Sequence, residues 1–216
     1  MSELKITGGG YIGNANATWP LATLKVTADI LSINLGFAGQ VFFNAEDITS
    51  IQPSSGLSRG GIRIIHTVNA YPQKVVFTTS TSYQSIIEDI KATGFFSKEV
   101  VHDQTTWHRV KKLQQQGRFP FKTAAIIVFL LGWNVPILLG VFNSNIEGFL
   151  TNAPISLSFA IAFILLTLFV EPFRILVLKE DRDIKDLRKT LYFILLIVSV
   201  IFVFSFGFRN LPPVHH

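Results

Sequence analysis

Gly8–Gly13 reads GGGYIG, the spacing G-x-G-x-x-G of a dinucleotide-binding turn. That chemistry needs a strand to deliver the glycines to a helix amino terminus, whose free N–H groups and dipole hold a pyrophosphate. Here the glycines precede NANATWP, which lacks helical periodicity and ends in proline, and no βαβ unit follows. The segment therefore reads as a leading strand in which glycine permits a bulge or a close backbone approach. Gly56–Gly60 (GLSRG) fits the nucleophile elbow G-x-S-x-G, but an elbow runs from a strand into a helix. The strand-like GIRIIHTV follows instead, so an inter-strand loop is expected and no catalytic residue is assigned. His66, on a strand, reads as a core or edge residue. His102 and His108, six apart, do not share a helical face, so no metal site is expected. The terminal His215 and His216 are either native or the remnant of a purification tag. With no cysteine in the chain there is no thiolate nucleophile, thiolate metal site or disulfide, and no cofactor is expected.

The remaining polar candidates lie in apolar surroundings. Thr123–Phe142, Ile155–Val170 and Thr190–Phe208 carry no charge. Each is long enough, alone or with its flank, for the ~20 residues that cross a bilayer. Three spans are predicted, at about 122–142, 155–178 and 190–208, in line with a mean hydropathy of +0.42. Asn134 falls midway along the first, next to Pro136, which cannot donate to the Gly132 carbonyl. GWNVP is thus a hinge or pore-lining point, or an interhelical hydrogen-bond donor beside a tolerated kink. Glu171 is placed about one turn inside the inner boundary, three residues before Arg174. It is a candidate for proton or ion transfer, or one half of a structural ion pair with a snorkelling arginine. Ser156 and Ala160, and Ser158 and Ala162, form small-xxx-small pairs on span 2. They allow close helix approach within the chain, and a homo-oligomer through these faces is an open option.

The net charge of +5 is unevenly placed. Through Val100 there are seven Lys/Arg and seven Asp/Glu, so the first half is neutral and offers no clustered basic face for nucleic acid. Arg109, Lys111, Lys112, Arg118 and Lys122 precede the first span, and six more basic residues surround the connection between the second and third. Asn143–Pro154 has none, and the tail has only Arg209. By the positive-inside rule the amino terminus and the second connection are cytoplasmic and the carboxyl terminus is outside, in a membrane expected to be the bacterial inner (plasma) membrane. DQTTWHRVKKLQQQG predicts a short helix capped by Asp103 and ended by Gly117, with Trp107, Val110, Leu113 and Gln114 along one side. Trp107, Arg109, Lys111, Lys112 and Arg118 are its candidate contacts with anionic lipid headgroups. The alternative is a solvated linker helix.

Alternating apolar residues mark strands in the first hundred residues: LATLKVT with Leu24 and Val26 inward, DILSINL with Leu31, Ile33 and Leu35, then QVFF, DITSI, GIRIIHTV and KVVFTT. TSYQSIIEDIKATGF then spaces Tyr83, Ile86, Ile87 and Ile90 as a helical stripe, with Thr81 and Gln84 as a capping box and Gly94 as the stop. On WPLATLKVTADILSINL, ITSI, IRIIH, VVF and the closing helix with Gly94–Phe95, residues 1–96 resemble the pleckstrin-homology-like (PH-like) superfold in its bacterial PH and GRAM-like variants. Small bacterial membrane proteins that join such a domain to hydrophobic helices look similar. Many PH domains bind phosphoinositides through basic residues around the first hairpin. The matching turn here, VTAD, is acidic, and only Lys25, Arg59 and Arg63 are weak headgroup candidates. A protein or peptide held at a sheet edge or beside the helix suits the neutral surface better.

The expectation is an α+β membrane protein. A PH-like antiparallel β-barrel or sandwich (1–96), closed by one helix, is followed by an amphipathic linker helix (97–120) and a three-helix transmembrane bundle (121–210). The expected role is a membrane-anchored interaction or regulatory module without catalysis, working with the lipid bilayer and an unidentified protein partner. The alternative is an oligomeric channel or transporter-like protein with the soluble domain as sensor.

Overall fold

The computed structural model describes residues 3–54, 60–97 and 104–209, of which 143–147, 150 and 206–209 are described by backbone alone. Arg59 and most of GLSRG, His102, Asp103, and the terminal histidines lie outside the described residues. The chain divides into two compact units, Met1–Pro120 and Phe121–His216.

The first unit is built on seven antiparallel strands: β1 (Leu4–Ile12), β2 (Ala15–Val26), β3 (Leu31–Asn34), β4 (Gln40–Phe43), β5 (Ile48–Pro53), β6 (Gly60–His66) and β7 (Val75–Thr79). Their order, β4-β3-β2-β1-β7-β6-β5, makes a nearly closed barrel in which β1 joins the two halves. The expected alternation is met, because Leu24, Val26, Leu31 and Ile33 are fully buried and Leu35 nearly so. With Phe43, Phe77, Ile62 and Ile64 they fill the interior, and each such side chain contributes about 1.5–3 kcal/mol.

All of GGGYIG but Gly13 lies in β1, where Gly9–Ile12 face β7, and Gly8 and Gly10–Ile12 pair with β2 on the other side. A Cβ on Gly8 would strike the Thr78 carbonyl and the Phe77 ring, and one on Gly10 the Val76 carbonyl. Opposite them the register slips from Gly8↔Ala22 to Gly10↔Ala17, so β2 bulges outward around an exposed Trp19. The glycines serve close backbone approach across a bulge.

Helix α1 (Tyr83–Ala92) buries Ile86 and Ile90 against the barrel. Its cap is Ser82, whose hydroxyl accepts from the Ser85 N–H at 3.2 Å, in place of the expected Thr81. The Thr81 N–H is itself turned to the Thr79 hydroxyl, while Ser82 has the extended backbone that a cap needs. Gly94, at φ 80°, ends the turn as expected. Helix α2 (Gln104–Gln115) buries Val110, Leu113 and Gln114, and Gly117 follows it at φ 73°.

The second unit holds α3 (Thr123–Phe169), α4 (Glu171–Val177) and α5 (Ile184–Arg209). A straight helix of the length of α3 would run ~70 Å, yet the Phe129 and Phe163 rings lie 5.0 Å apart. Helical residues therefore continue through a reversal, and α3 is two antiparallel arms, Thr123–Phe142 and Thr151–Phe169, each apolar enough to cross a membrane. Gly140 and Gly148 meet backbone to backbone beside the reversal, where neither has space for a Cβ. Phe129 and Trp133 of the first arm and Leu157, Ala160 and Ile161 of the second pack with Ile194, Val198 and Phe202 of α5. This gives three long apolar helices compatible with a transmembrane bundle. The second span, expected to run on to residue 178, is interrupted at Val170 (φ −105°, ψ 106°). Pro172 opens the new helix α4, where its missing N–H costs nothing.

Candidate functional site

Asp47 is the most constrained polar group of the first unit, 4% exposed in the turn between β4 and β5. One carboxylate oxygen accepts from Lys111 Nζ at 2.7 Å. The other accepts from Gln114 Nε2 at 2.8 Å and the Asn44 N–H at 2.9 Å. Gln114 also donates to the Phe42 carbonyl at 3.0 Å. Next to it, Glu46 accepts from Trp107 Nε1 at 2.8 Å and pairs with Lys111 at 3.2 Å, while the Lys111 ammonium lies 5.2 Å from the Trp107 ring centre. Burial lowers the Lys111 pKa, but the hydrogen bonds and charges of Asp47 and Glu46 outweigh it and leave the ammonium held above its ordinary value. Its stabilising contribution is thus complete below the ordinary lysine range and is lost only as pH rises through the raised value.

Two of the candidate membrane-surface residues, Trp107 and Lys111, therefore bind the barrel. A third, Arg118, donates to the Ile12 carbonyl, and its own carbonyl accepts from the Gln40 N–H at 2.8 Å. Arg109 and Lys112 are exposed. The apolar side of α2 faces neither headgroups nor water, because β4 and the Glu46–Asp47 turn cover it. A buried Gln114 on an otherwise apolar side was the one sign in the sequence that a polar partner waits for it. That partner is 67 residues away and could not be named.

The two ends of the sheet differ. At β4 the Gln40 N–H and Phe42 carbonyl are taken by Arg118 and Gln114, and the Phe42 N–H by the Tyr71 hydroxyl at 3.4 Å. At β5, among the described residues, no strand pairs on the side away from β6. The Tyr83 hydroxyl donates to the Ile51 carbonyl at 2.9 Å, tying α1 to this strand.

Of the weak headgroup candidates, Lys25 on β2 pairs with Glu3 at 3.4 Å, and Arg63 on β6 is exposed. β1 and β7 separate their strands, about 14 Å in all, so the fold does not bring the two together.

His66 is a core histidine. Its Nε2 lies 3.1 Å from the Pro72 carbonyl and its ring is 5.0 Å from Phe43, while Nδ1 is buried without a hydrogen-bond partner. Burial outweighs the Pro72 hydrogen bond and the attraction of Asp47, and holds its pKa below the ordinary value of 6.5. The unfolded chain thus binds this proton more readily. Stability should be complete above pH ~6.5 and fall as pH drops toward the lowered native value. Thermal unfolding between pH 8 and 5 tests this: His66→Gln should flatten the decline, and an unchanged slope contradicts it.

In the second unit Asn134 is exposed, and its Nδ2 donates to the Leu130 carbonyl at 2.8 Å. Arg174 donates from Nε to the Thr167 carbonyl at 3.3 Å and from Nη2 to the Leu168 carbonyl at 2.9 Å, closing the end of the second arm. Glu171 is exposed, and the arginine is directed to these carbonyls. Ser156 and Ala160 are buried within the bundle, whereas Ser158 and Ala162 are exposed.

No family model matches the chain, and no curated protein matches it.

Proposed function

We propose that the chain is a membrane-anchored interaction module of the PH-like, GRAM-like type, non-catalytic, with its barrel on the cytoplasmic side of a bacterial inner membrane. The observation that carries this reading is the contrast between the sheet ends. The chain's own α2 and Arg118 fill the β4 edge, whereas β5 is left beside α1 with no further strand among the described residues. An extended peptide can add as a strand to such an edge, with main-chain hydrogen bonds giving affinity and alternate side chains giving selectivity. The near-neutral charge of this half suits a polypeptide better than a phosphorylated headgroup.

A photocrosslinking residue placed at the exposed Thr49 or Gln52 of β5 should trap a second polypeptide in native membranes, and one at Lys5 on β1 should not. Equal adducts at all three positions, or none at β5, would remove the reading.

The channel or transporter alternative draws on the helix break at Val170 and the exposed Glu171. It requires Glu171→Gln to change ion flux in liposomes. The adaptor reading expects no flux from either protein.

A further inference from the structure

We infer that the first arm of α3 carries a self-association surface centred on Asn134, and that its occupant is a second copy of this chain. The inference rests on the membrane-spanning reading of α3 and is independent of the adaptor role.

Asn134 lies eleven residues beyond Thr123, ~16 Å along a helix and close to the bilayer midplane. Phe129 and Trp133 turn toward the second arm and α5. At ~100° per residue, Asn134 falls on the other side of the helix with Ile127, Leu131 and Leu138, which are 51%, 56% and 49% exposed. The first arm is also the least covered of the three, with 6% of its residues buried inside the chain against 44% of the second arm's.

Hydrocarbon is an adequate partner for the leucines but not for the amide. Thr167 and Ser205 each donate to the carbonyl four residues back, at 2.8 and 2.7 Å, which uses a hydroxyl's single hydrogen. Asn134 makes the same bond to Leu130 and still has one N–H and the side-chain carbonyl outward. A polar amide left so in lipid is strongly disfavoured. A complementary group must present one acceptor and one donor at the same depth. In a second copy, related by a two-fold axis along the membrane normal, Asn134 arrives at that depth by symmetry, and its amide is complementary to itself.

The absence of cysteine allows a clean test in native membranes with the full chain. Leu131→Cys should give an oxidised product of twice the chain's mass. Leu139→Cys, as exposed as Leu131 but ~140° around the helix from Asn134, should give little. Adding Asn134→Leu to Leu131→Cys should weaken the product about three- to tenfold, while both proteins remain in the membrane after alkaline carbonate extraction. Retention in the membrane separates failure of the surface from failure of the spanning reading. The inference is overturned if Leu131→Cys and Leu139→Cys crosslink alike, if Asn134→Leu changes nothing, or if the Leu131→Cys adduct contains only a different protein.

Discussion

Replacing Asp47 with alanine should destabilise the first unit by about 3 kcal/mol and free α2 from the barrel. The carboxylate is 4% exposed and receives three donors: Lys111 and Gln114 from the distant α2, and the Asn44 N–H from its own turn. Its removal takes a partner from all three donors, and breaking a buried pair from one side typically costs about 3–5 kcal/mol where the other charge is left unpaired. The Lys111 side chain is 31% exposed and keeps Glu46 nearby, so the loss falls at the lower end of that range. Asp47→Asn retains part of the hydrogen bonding and should cost less, and so should Lys111→Ala, which leaves Gln114 and Asn44 in place. Trypsin cleavage at Arg109 and Lys112, followed alongside thermal unfolding of the full chain, separates detachment of α2 from general unfolding. If cleavage in Asp47→Ala is as slow as in the parent, the network does not hold α2.

In the second unit, Gly140→Leu and Gly148→Leu should each destabilise the hairpin by about 3 kcal/mol or more. A Cβ at either position falls on the other's backbone carbonyl, which cannot turn aside as a flexible side chain would. The arms can accommodate the leucine only by separating, and that separation pulls Phe129 away from Phe159 and Phe163 and Trp133 away from the cluster of Leu157, Ala160 and Val198. Thermal scans of intrinsic fluorescence in detergent follow the loss. Gly140→Ala, with the same clash but less bulk, should lie between the parent and Gly140→Leu. Leucine variants that melt with the parent would mean that the arms do not approach here.

Much of this architecture was legible in local pattern. Leu31, Ile33 and Leu35 alternate, and the stripe of Tyr83, Ile86 and Ile90 has helical spacing, so period alone identifies both elements. β1 was harder to read, because three consecutive glycines have no side chains with which to alternate, and what fixes their place is the distant pair Phe77 and Thr78. The buried side of α2 was readable from Val110, Leu113 and Gln114. Its destination was not, since Asp47 lies in a short turn 64 residues from Lys111. Hydropathy located the three spans, but the interruption at Val170 depends on Pro172 opening a new helix instead of bending an old one. The depth of Asn134 could be counted along the sequence. Which way it faces became clear only once Phe129 and Trp133 had a packing partner.

The proposed placement, a barrel on the inner side of a membrane that the chain crosses three times, is tested by labelling single cysteines with a membrane-impermeant maleimide in intact cells. The chain supplies no background thiol. Cysteines at Gln52 in β5 and at Glu180, between α4 and α5, should react only after permeabilisation, while one at Thr151, beside the reversal of α3, should react in intact cells. Labelling of Gln52→Cys from outside, or of Thr151→Cys and Glu180→Cys from the same side, would contradict it.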